Sequence, residues 1–155
     1  MTIQIDPKDL TRLTKAINRL DNIEREYTIK KSLMKVAEEF KKAVEPKVPV
    51  SNGRYKAGVK VAGGGLKKSL SKMWKKNVKK GYLAARVGYK RPGGNPAHLV
   101  DLGTQERYTK KGLYRGKVTP RKFHSGTFKA MEGQLSRDLL YEMTKTLKDI
   151  WEGKK

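Results

Sequence analysis

The chain has 155 residues, 36% hydrophobic and 34% charged, which suits one domain with a modest core and excludes a disordered chain. It has no cysteine, which excludes disulfides, cysteine-based zinc sites and thiol nucleophiles, and no run approaches the ~20 apolar residues of a membrane span. The formal net charge of +22, from 37 Lys and Arg against 15 Asp and Glu, calls for an anionic partner: nucleic acid or an acidic protein surface.

The charge is unevenly spread. Residues 1–50 mix eleven bases with eight acids, whereas residues 46–100 hold fourteen bases and no acid, and residues 107–130 hold eight bases and no acid. Like charges this dense repel within a Debye length of about 8 Å. Asp6 and Asp9 interrupt the start of the chain and no apolar h-region follows, so no signal peptide is read there and a soluble, cytoplasmically made protein is expected.

In chain order, the first expected helix covers residues 7–20. Asp6 can cap it, Pro7 suits its first position, and Leu10, Leu13, Ile17 and Leu20 recur at helical spacing. Asp21 and Glu24 are spaced as a capping box for a second helix over 22–45, with Ile29, Leu33, Val36, Ala37, Phe40 and Val44 on one face. Pro46 and Pro49 end it. Residues 48–65 read as loop, with Ser51-Asn52-Gly53 and Gly63-Gly64-Gly65 as turn signals.

Leu66, Leu70, Met73 and Trp74 fit a basic helix, while Leu70, Lys72 and Trp74 fit a strand equally well. Beyond them Leu83, Ala85, Val87 and Tyr89 alternate at strand period. With Lys79-Lys80-Gly81 as the turn, this predicts a hairpin over 71–89. Arg91-Pro92-Gly93-Gly94-Asn95-Pro96 is a turn cluster, and a short apolar stretch then stops at Gly103. Residues 104–118 are basic and aperiodic: a mobile loop, expected to order only in an assembly. Phe128, Met131, Leu135, Leu139, Met143, Leu147, Ile150 and Trp151 predict a helix over 127–151, capped by Ser125 or Thr127. The sum is a single α+β domain, N-terminal helices and a long C-terminal helix packed on a small antiparallel β-sheet.

Little chemistry accompanies this frame. His98 and His124 lack partners at metal-ligand spacing, and the nearest acid, Asp101 to His98, has no serine on an elbow to serve. Gly63-Gly64-Gly65-Leu66-Lys67-Lys68-Ser69 lacks the glycine directly before Lys-Ser that a phosphate loop requires. No catalytic residue, metal site or cofactor is therefore expected. Bases interleave with aromatics in two places: Lys72, Lys75, Lys76, Lys79 and Lys80 around Trp74, and Arg107, Lys110, Lys111, Arg115 and Lys117 around Tyr108 and Tyr114. Both groups are candidates to face a partner protein or DNA, with Trp74 itself expected to pack inward.

Pro96-Ala97-His98-Leu99-Val100-Asp101-Leu102-Gly103-Thr104, followed by a loop and then Thr119-Pro120-Arg121-Lys122-Phe123 leading into a helix, resembles the tail-completion or head–tail joining proteins of long-tailed bacteriophages, often labelled minor tail components. The upstream order is similar too: a long helix, a proline-bounded exit and a glycine-rich segment before Leu66-Lys67-Lys68-Ser69-Leu70. Asp101 stands where glutamate is commoner, and the Pro120–Phe123 segment is more polar than usual. The resemblance spans roughly residues 25–150 and implies an α+β domain that self-associates into a ring, six-fold by family expectation. It also implies a place in the virion neck, between the head-side connector and the tail tube proteins, with contact to genomic DNA possible, no membrane and no catalysis.

The residues carrying the resemblance make sense as a structural corner: Gly103 frees the backbone, while Asp101 and Thr104 hold loop amides and Pro120 and Phe123 open the last helix. A lumen lined with inward bases would grip duplex DNA, since log K falls with log salt by about 0.9 per phosphate contact. Most of the basic excess is therefore expected to face partner proteins and a minority DNA. The alternative reading is a sequence-independent nucleic-acid-binding protein.

Overall fold

The computed structural model describes residues 6–50, 54–56, 59–61, 63–77, 82–114 and 116–152. It is an α+β fold.

Helix α1 (Pro7–Ile17) begins where the Asp6 carboxylate accepts the Lys8 amide at 2.8 Å, with Pro7 in the first turn, where no amide is needed. It ends three residues sooner than its apolar spacing implies, but Leu20 stays buried because the Arg19 and Leu20 amides fold back onto Ala16 and Ile17. Helix α2 (Asn22–Val44) is capped by Asp21, whose Oδ1 accepts the amides of Ile23 at 2.8 Å and Glu24 at 2.7 Å. Pro46 has no amide to continue the ladder, so α2 closes in one 3-10 turn, Glu45–Lys47.

Residues 48–65 are not the plain loop that their turn signals predict. Strand β1 (Arg54–Lys56) pairs antiparallel with β2 (Val59–Val61), Tyr55 opposite Lys60. Three-residue strands are shorter than any alternation a sequence window can register. The turn signal at Ser51-Asn52-Gly53 lies outside the described residues. A one-turn helix, α3 (Gly65–Ser69), follows the left-handed Gly64 and resolves the helix-or-strand ambiguity by dividing it. Strand β3 (Leu70–Asn77) begins at the next residue and pairs with β4 (Tyr82–Tyr89), as the hairpin expectation has it. A connection this short rules out a parallel crossover. The Lys79-Lys80-Gly81 turn lies outside the described residues. Helices α4 (Ala97–Leu102) and α5 (Ser125–Trp151) complete the chain.

The residues divide into two compact units. The first comprises Met1–Phe40, Lys72–Val87 and Ala130–Lys155; the second comprises Lys41–Ser71 and Gly88–Lys129. In the first, α2 and α5 run antiparallel: Ser32 lies 3.5 Å from Thr146, and Lys35 reaches Glu142 at 2.5 Å. Val36, Ala37 and Phe40 are buried with Leu135, Leu139, Met143 and Leu147, along with Leu13, Ile17 and Leu20. The most buried line on α2 is nevertheless Thr28–Ser32–Val36, and the expected face members Ile29 and Leu33 flank it half-buried. Small hydroxyl residues let two helices approach, and Thr28 and Thr146 satisfy their hydroxyls on the carbonyls of Glu24 and Glu142, one turn back. Trp151, included in the α5 stripe by its spacing, is exposed. In the second unit the buried apolar side chains among the described residues are Val44, Val48, Leu70, Ala97 and Phe123.

Candidate functional site

The second unit turns sharply at the end of α4. Gly103 sits at φ 76°, ψ −177°, a region essentially closed to residues with a Cβ. The space is closed as well: a Cβ there would stand 2.8 Å from the Val118 carbonyl oxygen and 2.9 Å from Pro120 Cδ. Thr104 then locks the returning strand, its amide donating to the Val118 carbonyl and its hydroxyl accepting the Val118 amide, both at 3.0 Å. Further along, the amides of Arg121 and Lys122 donate to the carbonyls of Val100 and Asp101. Lys122 accepts a positive φ of 47° to make that bond.

Asp101 is the centre of the corner. Its side chain is buried, and its carboxylate accepts the His124 amide at 2.7 Å and the Ser125 amide at 3.2–3.3 Å. These are the amide just before α5 and the first amide within it, so the N-terminal cap of the last helix comes from a residue more than twenty positions earlier. The expectation that Ser125 or Thr127 caps the helix is therefore corrected. Ser125 is itself the first helical residue, and the Thr127 hydroxyl donates to the Phe123 carbonyl at 2.7 Å. Asp101 is also no partner for a catalytic His98, which is exposed while the carboxylate is engaged on backbone.

Beneath the corner lies an aromatic cluster that sequence reasoning missed. The Tyr89 ring meets Phe123 edge-on at 6.0 Å and His124 at 5.7 Å. The Tyr89 hydroxyl is buried with no hydrogen-bond partner among the described residues, and burial, reinforced by the Asp101 charge, raises its pKa well beyond the usual phenol range. Burial lowers the His124 pKa, with Asp101 opposing that shift. Alternation in the strand placed Tyr89 only on one face; nothing local foretold that it would meet Phe123 and His124.

Between Thr104 and Val118 the chain forms an exposed ribbon. Tyr108 and Tyr114 face each other across it in a bridge, their rings 5.4 Å apart, and Thr109 accepts its tight turn with the Leu113 amide donating to its hydroxyl. Arg107, Lys110, Lys111 and Lys117 are all exposed on it; Arg115 lies outside the described residues.

The other basic group is divided differently. Lys72 pairs with Glu38 at 2.8 Å and Lys76 pairs with Glu26, both on α2, so these two lysines are engaged within their own unit. Trp74, between them on the same strand face, is half-buried, and Lys75 points the other way, exposed. Lys79 and Lys80 lie outside the described residues. Exposed pairs of this kind contribute only about 0.2–1 kcal/mol each, but they remove two cations from the set open to a partner.

By sequence, the second unit carries 18 of the 37 bases and 3 of the 15 acids, a net +15 of the total +22. One of those acids is the buried Asp101. Compared with family models, curated proteins and solved structures, the chain matches none.

Proposed function

We propose that the chain is a non-enzymatic assembly protein of a tailed bacteriophage, forming a ring at the head-proximal end of the tail and joining it to the head-side connector. One observation carries this reading. Asp101, Gly103, Thr104, Pro120 and Phe123, the residues of the phage neck resemblance, come together as one hydrogen-bonded corner at the root of an exposed basic ribbon. A corner of this kind fixes where a ribbon projects, which is what a subunit needs when it docks on fixed neighbours.

The chain is then expected to be mainly monomeric at low salt, where its charge repels, and to close into rings when salt or a polyanion screens it. Removing the coding sequence from the genome that carries it should leave filled heads and finished tails unjoined in electron micrographs. Intact virions from that deletion would overturn the reading. Charge reversal at Lys75 is the cleaner surface test, because reversal at Lys72 or Lys76 would also set like charges against Glu38 or Glu26.

The net +15 on one unit favours a second reading, a sequence-independent nucleic-acid-binding protein. Tight duplex binding whose log K falls with log salt by about 0.9 per contact, in a chain that stays monomeric at every salt, would favour it over the neck.

A further inference from the structure

The ribbon between Thr104 and Val118 exposes more apolar surface than a solvated loop should. Tyr108 is 58% exposed, Leu113 67% and Tyr114 59%, all on one short hairpin. Around them stand Arg107, Lys110, Lys111 and Lys117. An apolar centre inside a charged rim is the anatomy of a protein–protein contact, and aromatic anchors are where such contacts concentrate their affinity.

We propose that this ribbon is a docking peg for an acidic surface on a different protein, with Tyr108, Leu113 and Tyr114 seated in an apolar recess and the bases meeting carboxylates at its edge. A second copy of the chain is a poor occupant. Each copy is +22 overall, and its first unit still holds 19 bases against 12 acids, so the basic ribbon would meet like charge on another copy, whichever other surfaces a ring uses. Nucleic acid fits less well for two reasons. The two tyrosine rings already pack on each other at 5.4 Å, tilted by 58°, which hinders either from stacking on a base. Leu113 offers a phosphate backbone nothing.

The ribbon's own hydrogen bonds define the shape it presents. Thr109 donates its amide to the Leu113 carbonyl at 2.8 Å, Gly112 donates to the Thr109 carbonyl at 2.9 Å, and Arg107 donates to the Gly116 carbonyl at 3.2 Å. Gly112 and Gly116 take the positive φ angles, 77° and 81°, that the two bends require. Nothing in this depends on a phage neck: a chain that does not join tails to heads can still bind an acidic surface through the ribbon, and the reverse also holds.

The full-length protein is titrated, by fluorescence anisotropy at physiological salt, into three labelled probes: poly-glutamate, a glutamate–tyrosine copolymer with the same number of glutamates, and a DNA duplex of about 30 base pairs. The copolymer is expected to bind about tenfold tighter than poly-glutamate, the size of one anchor side chain's contribution. Leu113→Ser and Tyr114→Ser should abolish that preference and leave poly-glutamate binding unchanged. Lys110→Ala with Lys111→Ala should weaken both polymers. These side chains are exposed, and an unchanged circular dichroism spectrum verifies that each variant folds. Equal affinity of the wild type for the two polymers, or a preference that survives Leu113→Ser and Tyr114→Ser, overturns the proposal. Duplex binding tighter than the copolymer and lost with Lys110→Ala/Lys111→Ala also overturns it, and assigns the ribbon to nucleic acid.

Discussion

Replacing Asp101 with alanine removes the cap of the longest helix in the chain without touching the helix itself. Three things are lost together. The His124 amide loses a 2.7 Å bond to a charged acceptor, the Ser125 amide loses the bond it shares between both carboxylate oxygens, and the positive end of α5 loses its counter-charge. A bond to a charged group contributes about 1.5–3 kcal/mol and a lost cap costs about 0.5–2 kcal/mol, so the overlapping effects amount to about 3 kcal/mol. Asp101→Asn retains one acceptor oxygen but turns an NH2 group toward a backbone donor, and should cost about half as much, ~1.5 kcal/mol. Urea titration followed by circular dichroism measures both, and an unchanged dependence on denaturant shows that only stability has moved. For a chain of this size the alanine variant should melt about 6–12 °C lower. Both tryptophans, Trp74 and Trp151, fall in the first unit, so their fluorescence reports separately whether the loss stays in the second. A cost under about 0.5 kcal/mol, that of an ordinary surface substitution, would show that the carboxylate does not hold the helix.

Gly103→Ala should cost about 3 kcal/mol by the same titration, because the φ/ψ pair excludes a Cβ and the Val118 carbonyl occupies its space; a change under about 1 kcal/mol would refute the corner. Tyr89→Phe should be neutral or stabilising by up to ~1 kcal/mol, since it deletes a buried hydroxyl with no hydrogen-bond partner among the described residues; a loss above ~1 kcal/mol would reveal a partner for it. His124 is held below its ordinary pKa of 6.5 by burial, so the unfolded chain binds its proton first. Its contribution is therefore complete above pH 6.5 and is lost as the pH falls toward the lowered folded value, and His124→Gln should flatten that part of the urea midpoint's pH dependence. In amide exchange on the monomer, Thr109 and Leu113 should exchange within seconds and Val118 slowly, because none of the ribbon's described side chains is buried while its root is tied at Thr104; strong protection at the tip would contradict this.

What the sequence determined by itself was local. Asp6 before Pro7, and Asp21 before the Ile23 and Glu24 amides, set two helix starts because a cap acts within its own turn. Leu135, Leu139, Met143 and Leu147 fixed the buried face of α5, and alternation through Tyr82–Tyr89 fixed β4, since each period is a property of one element alone. Tertiary structure decided the rest. It chose Thr28 and Ser32 over Ile29 and Leu33 as the centre of the α2 contact, because close approach to α5 favours small side chains whose hydroxyls find a partner, Thr28 on its own helix and Ser32 across at Thr146. It paired Lys72 and Lys76 with Glu38 and Glu26, which are distant in sequence and adjacent only once β3 lies along α2. It made strands of Arg54–Lys56 and Val59–Val61, too short to show a period. Above all it gave α5 its cap. The Asp-x-Gly-Thr string shows that a turn is needed, but which amides a buried carboxylate will satisfy depends on where the chain returns.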